Sequence, residues 1–219
     1  MPELDFEITP EIVLKAYAAG IFPMAEDADD PGLFWVDPQF RGIIPIDDFR
    51  ISRRLARTVK SDRFNVRSDQ SFEGVISGCA QSRMNGEKTW INERIRSLYS
   101  SLFELGYCHT IEVYNEEQLV GGLYGITLGS AFFGESMFHI ERDASKVALV
   151  HLVARLKRNN FTLIDTQFVT DHLAGFGAIE IPRRRYKDLL QQAICQSADW
   201  DEWPGNCSIS GTDILSILI

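Results

Sequence analysis

The segment FTLIDTQFV, Phe161 to Val169, is rich in β-branched and aromatic residues and reads as a buried strand. Strand side chains alternate faces. Leu163, Asp165 and Gln167 are therefore expected on one face, with Ile164, Thr166 and Phe168 on the other. A carboxylate and a carboxamide aimed the same way can orient and deprotonate a bound nucleophile. The competing reading is a buried acid satisfied by backbone donors, since an isolated buried charge is costly. The four histidines, His109, His139, His151 and His172, have no Ser or Cys partner at a recognisable spacing, and His151 sits on an apolar helix as a structural residue would. Cys79, Cys108, Cys195 and Cys207 are scattered, with no C-x-x-C pair and no nearby histidine. That pattern points to reduced thiols in a cytoplasmic protein and to no metal site.

Composition narrows the class. The chain has 219 residues, 45% of them hydrophobic, enough for one large domain or one domain with a small appendage. No apolar run approaches the roughly 20 residues that span a bilayer, and the acidic start MPELDFEITPEIV has no signal-peptide pattern. A net charge of −9 argues against a generic nucleic-acid coat protein. Yet RISRRLARTVKSDRFNVR, Arg50 to Arg67, carries seven Lys/Arg and one acid, and PRRRYK, Pro182 to Lys187, carries four bases. Such strips either bind a short stretch of phosphate or are solvated helix faces.

The elements that must position the acid–amide pair follow from punctuation and period. Thr9 can cap a helix that starts at Pro10 and ends at Gly20, with Ile12, Val13, Ala16 and Tyr17 as its apolar face. Residues 1–45 read as a small layer leaning on a larger body, residues 46–219. In the strip after Ser52, Ile51, Leu55 and Val59 face inward, leaving Arg53, Arg57 and Lys60 elsewhere on the helix. Helices are expected from Ser71 and over TWINERIRSLYSSLFELG. HTIEVYNEEQLVGGLYGITLGSAFFGESMF reads as a three-stranded antiparallel meander. Gly121, Gly122 and Gly125 in its middle strand suggest a bulge or a close approach to a ligand. DASKVALVHLVARLKRNN is an amphipathic helix capped by Asp143 or Ser145, and RRRYKDLLQQAIC is a last helix. The tail DILSILI has no assigned place. Helices, meander, helix, strand and helix make an α+β single-sheet domain, the layout of the GNAT acyltransferase core.

With those strands placed, AYAAGIFPM, TWINE, ELGYCHTIEVY, LVGGLYGITLGSAFFGESMF, ASK, LIDTQ and IPRR resemble the leucyl/phenylalanyl-tRNA–protein transferases in order and spacing, from about Tyr17 to Leu190. The resemblance implies a small N-terminal domain on a GNAT-like acyltransferase domain. It implies transfer of Leu or Phe (Met as a further candidate) from charged tRNA to the N-terminal Arg or Lys of a protein. It further implies a product that feeds N-terminal-residue-dependent degradation, and an enzyme expected to be a cytoplasmic monomer without cofactor or membrane partner. This sequence departs from the family pattern at Met24, Leu123, Leu152, Thr166 and Thr170, and carries GFGA, Gly175 to Ala178, where the family usually has SLGA. These changes bear on pocket shape and not on the acid–amide pair.

An aminoacyl ester is already activated, so a protein needs only to hold it, place an amine beside it and move protons. Gln167 would orient the amine, and Asp165 would be the electrostatic and proton-accepting member. By resemblance Glu135 lines the pocket near the aminoacyl group and is a candidate to bind its amino group; the competing reading is a salt-bridge partner for Arg or Lys. Leu123, Phe132 and Leu152 would wall an apolar side-chain pocket, a role compatible with plain core packing. Tyr17 and Trp90 could stack on the terminal adenosine or be buried anchors. Arg53, Arg54 and Arg57 are candidates for acceptor-stem phosphates. An acyl-CoA-dependent GNAT acyltransferase is the alternative. Its glycine-rich pyrophosphate loop is missing from HIERDASK, which has no glycine and two acids.

Overall fold

The computed structural model describes residues 8–30, 32–81, 89–202 and 209–218. Cys207 lies outside them. Helix α1 (Pro10–Ala18) starts as its sequence dictates: Thr9 Oγ1 accepts the Ile12 N–H at 3.4 Å and Pro10 occupies the first turn. Its Val13 and Tyr17 are fully buried. Strands β1 (Phe22–Met24) and β2 (Phe34–Val36) form a two-stranded antiparallel ribbon. β3 (Phe40–Ile44) lies within the first 45 residues, yet it hydrogen-bonds into the large sheet.

The body continues with α2 (Arg53–Lys60), β4 (Asn65–Ser68), α3 (Phe72–Gln81) and α4 (Glu93–Glu104). The meander is β5 (Cys108–Asn115), β6 (Gln118–Leu128) and β7 (Ala131–His139), followed by α5 (Ala144–Arg158) and β8 (Leu163–Gln167). The chain then makes α6 (Asp171–Ala174), β9 (Ile179–Pro182), α7 (Arg183–Ile194) and α8 (Gly211–Leu218). Seven strands form one mixed sheet in the order β4-β5-β6-β7-β8-β3-β9. Every neighbour pair is antiparallel except β7–β8. This is the α+β single-sheet arrangement that the alternation of periods predicts.

Two cores flank the sheet. One gathers Leu55 and Val59 of α2, most of α5, and Ile214 of α8. The other gathers Val13 and Tyr17 of α1 with residues of α3, α4 and α7. Helix α5 buries eleven of its fifteen residues, and Arg155, Lys157 and Arg158 in its last turn complement its dipole. Its start differs from expectation. Asp143 makes no capping bond and adopts a left-handed backbone (φ 72°), while its carboxylate accepts both Arg54 Nη groups. Ser145 lies inside the first turn. The tail finds its place here: α8 packs on α5 and α2, and Trp200 stacks on both His109 (4.4 Å) and Phe132 (5.9 Å). The glycines of β6 fit the protein's own packing and lie beside irregularities in the strand register. A Cβ on Gly121 would come within 2.6 Å of Ala144 Cβ, and one on Gly125 within 2.4 Å of the Phe132 ring.

Candidate active site

The parallel pairing of β7 and β8 covers only Ala131–Phe133 against Leu163–Asp165. Beyond it each strand carries a bulge. On β7, Gly134 opposes Gly125 and Ser136 opposes Tyr124, which leaves Glu135 as the extra residue. On β8, Asp165 opposes Ile43 and Gln167 opposes Gly42, which leaves Thr166 as the extra residue. Bulges re-aim side chains and break simple alternation. Gln167 adopts a left-handed backbone, φ 56°, immediately after the second bulge. Its Nε2 donates to Glu135 Oε1 at 3.4 Å.

These two side chains sit in the wall of a cavity of about 540 Å³. Leu123, Phe132, Leu149, Leu152 and Ile164 supply its apolar part, and Trp90, Phe22, Met24 and Phe168 line it as well. Leu123, Phe132 and Leu152 are nearly inaccessible to bulk solvent yet border this space, so core packing and pocket lining coincide in them. Met24, Leu123, Leu152, Thr166 and Thr170 all border the same cavity.

Asp165 is placed differently from the strand-alternation expectation. It does not border the cavity and is fully buried. Its Oδ1 accepts the Gln167 N–H at 2.8 Å and Arg41 Nε at 2.9 Å. Its Oδ2 accepts Arg41 Nη2 at 2.6 Å and the Tyr186 hydroxyl at 2.7 Å. Burial and then the Asp165 charge push the Tyr186 hydroxyl well up, so it stays a donor. Four donors leave this carboxylate little capacity to take a proton from a ligand. The arrangement makes Asp165 a post that fixes the Gln167 backbone. Sequence reading missed Arg41. Its guanidinium lies 4.5 Å from the ring centroids of both Phe22 and Tyr186 and donates to Gly20 O. The available signal was a lone base inside the apolar strand FRGII, which demands a buried acid.

Tyr17 is fully buried, its ring 4.8 Å from Phe133, so neither face is open to a nucleobase. Stacking is excluded by packing, and its hydroxyl is what reaches the site. Tyr17 donates to Glu135 Oε1 at 2.7 Å and Tyr99 donates to Oε2 at 2.9 Å, with the two hydroxyls 2.5 Å apart. Tyr99 was not foreseen: nothing in the periodicity of its helix separates it from a core aromatic. Trp90 is half-buried on the cavity wall, as a stacking residue would be. Burial pushes the Glu135 carboxyl up to about 7, against the lowering effect of the two tyrosines. Of the basic strip, Arg53 and Arg57 are exposed, whereas Arg54 is committed to Asp143. Among the described residues no group of three or more His, Cys, Asp or Glu could hold a metal ion, and no helix is long and apolar enough to cross a membrane.

Comparison with known proteins identifies relatives of this chain. Residues 43–191 match the family model described as leucyl/phenylalanyl-tRNA protein transferase, and residues 6–39 match the one described as its N-terminal domain. A leucyl/phenylalanyl-tRNA–protein transferase of Nitrobacter winogradskyi is 60% identical over 97% of this chain and 94% of its own length. Proteins of the same name from Afipia carboxidovorans and Rhodopseudomonas palustris are 59% and 60% identical over 97% of this chain, covering 93% and 92% of their own. Among solved structures, L-PGS from Bacillus licheniformis superposes at TM-score 0.41 and 14% identity, over 75% of this chain and 61% of that one. The motifs around the two bulges thus run through a match that spans nearly the whole sequence, and the chain belongs to the leucyl/phenylalanyl-tRNA–protein transferase family.

Proposed function

We propose that this chain moves Leu or Phe from charged tRNA to the N-terminal Arg or Lys of a protein, and so marks it for N-terminal-residue-dependent degradation. One observation carries the reading: a largely apolar cavity of about 540 Å³ has a hydrogen-bonded polar pair, Gln167 and Glu135, in its wall, the first just after the bulge of β8 and the second at the bulge of β7. That volume lies in the range of small-ligand pockets and is lined as an aliphatic or aromatic side chain requires. The aminoacyl side chain would lie against Leu123, Phe132 and Leu152, with Trp90 stacking on the terminal adenosine. Gln167 gives its Nε2 to Glu135, which leaves its carbonyl oxygen as the group to orient the incoming amine. Asp165 supports this by fixing the Gln167 backbone. Arg53 and Arg57 would hold acceptor-stem phosphates, in a cytoplasmic monomer that needs no cofactor.

CoA-dependent acylation is not favoured. The start of α5, where a pyrophosphate would sit, carries the Asp143 carboxylate paired with Arg54. Arg54 holds the Asp143 carboxyl below the ordinary carboxylate value, against the smaller opposing effect of burial. The deciding assay supplies purified protein with labelled Leu-tRNA and a peptide beginning with Arg, beside the same peptide beginning with Glu. Label on the Arg peptide alone is expected. Equal labelling of both peptides would reject the acceptor assignment, and transfer only with acetyl-CoA would reject the function.

A further inference from the structure

Peptide-bond formation from an ester and an amine must move two protons, and the residue best matched to the family's acid–amide pattern is poorly placed to take either. Asp165 is enclosed by four donors and turned away from the cavity. Glu135 differs on every count. It is the unpaired residue of a β-bulge, half-buried, and borders the cavity. Its partners are two phenols and one amide, with no cation hydrogen-bonded to it among the described residues. A carboxylate with four lone-pair directions accepts three such bonds and keeps one for a ligand.

Building on the transferase reading above, we propose that Glu135 is the proton acceptor of the reaction, with Tyr17 and Tyr99 as the positioning residues that hold it ready. The acceptor enters as a free amine, its ammonium proton lost to solvent. Its lone pair forms the C–N bond at the ester carbonyl while an N–H proton passes to Glu135. The C–O bond to the ribose then breaks, and the departing oxygen takes that proton back. Ester and amine become amide and alcohol, and the carboxylate is regenerated.

The surroundings suit the task. Desolvation is the dominant influence on Glu135 and brings its carboxyl up to about 7, close to working pH, where a general base is most effective. Tyr17 of α1 and Tyr99 of α4 lower it, Asp165 of β8 raises it, and Arg41 of β3 lowers it. Tyr124 of β6, Cys79 of α3 and Cys108 of β5 also face this neighbourhood. Burial pushes all three well up, so they stay neutral. Tyr17 and Tyr99 are likewise pushed up by burial first and by Glu135 next, so they donate without ionising.

The test uses the whole protein with pre-charged Leu-tRNA and an Arg-starting peptide, measuring kcat and KM from pH 5.5 to 9. Glu135→Gln keeps the shape of the side chain. Its kcat should fall on the order of 100-fold or more, with the KM for charged tRNA nearly unchanged. The ratio of wild-type to Glu135→Gln kcat cancels the acceptor amine's own titration. That ratio should rise through about pH 7 and then level. Tyr17→Phe removes one bond to the carboxylate and should move the midpoint of the wild-type profile to higher pH. A Glu135→Gln protein with wild-type kcat, or one impaired only in KM with a flat ratio, would overturn the proposal. So would a Tyr17→Phe midpoint that does not move. Failure of the wild type to label any peptide would sink the transferase reading and this one together. A wild type that transfers while Glu135→Gln is unimpaired sinks this one alone.

Discussion

Arg41 and Asp165 form a fully buried, bidentate ion pair across the junction of β3 and β8, with Arg41 Nη2 2.6 Å from Asp165 Oδ2. The pair joins β3 to β8, the strand that ends at Gln167. Removing one member leaves the other charge unpaired in the interior. Arg41→Leu should therefore destabilise the protein by about 3–5 kcal/mol, read from the urea midpoint. The same variant should lose kcat, because Asp165 then no longer fixes Gln167. If Asp165→Asn and Gln167→Ala act through one geometry, each lowers transfer strongly and the double variant is little worse than the worse single. Additive losses would mean that the two act separately.

Cavity shape should set donor preference. Leu152→Phe fills space against Leu123 and Phe132, and a Phe donor needs that space more than a Leu donor. Its effect on kcat/KM for Phe-tRNA relative to Leu-tRNA should be about 10- to 100-fold. Competition between the two charged tRNAs in one tube measures this directly, and an unchanged ratio would place the side chain elsewhere.

Salt should separate the roles of the arginines in α2. Arg53 and Arg57 are exposed, so Arg53→Ala/Arg57→Ala should raise the tRNA KM and flatten the log K against log salt slope by about 1–2. The maximal rate should hardly change. Arg54→Ala should instead lower thermal stability, because Asp143 loses its partner at the start of α5. Equal effects of all three on the salt slope would remove the distinction.

Glu135 should make the enzyme less stable where it is active. Its folded-state pKa, about 7, lies above the ordinary value of 4.5. The native state therefore binds more protons than the unfolded chain between those values, and stability falls as pH rises through that window. Glu135→Gln removes the effect. It should be more stable than wild type by roughly 1–3 kcal/mol at pH 8, with no advantage below pH 4.5. Melting curves at pH 4 and pH 8 decide it, and equal melting temperatures at pH 8 would contradict it.

Trp200 should matter to the pocket without lining it. Trp200 stacks on Phe132 and donates from Nε1 to Asp69 Oδ2 at 2.6 Å. Trp200→Ala should cost about 3–5 kcal/mol. It should also weaken discrimination between donor side chains more than it lowers the rate with Leu-tRNA. Normal discrimination in a destabilised protein would confine Trp200 to stability.

Period and punctuation in the sequence determined the helices, the meander and the α+β class, because local propensity, caps and side-chain alternation are properties of neighbouring residues. The Thr9 cap and the inward stripe Leu55–Val59 are of this kind. The motifs FFGESMF and LIDTQ likewise carry Glu135 and Gln167, the polar pair that borders the cavity. Tertiary structure decided how those residues face. A bulge depends on the register of a partner strand, so strict alternation grouped Asp165 with Gln167 when Thr166 in fact breaks the pattern between them. The same holds for Glu135, whose aim comes from the mismatch of β7 with β6. Arg41, Tyr99 and Tyr186 became visible as members of the site only through contacts across long sequence separations, 124 residues for Arg41 and Asp165. Burial, which raises one carboxylate toward neutrality and leaves the other locked in an ion pair, is set by the packed whole and by no short stretch of the chain.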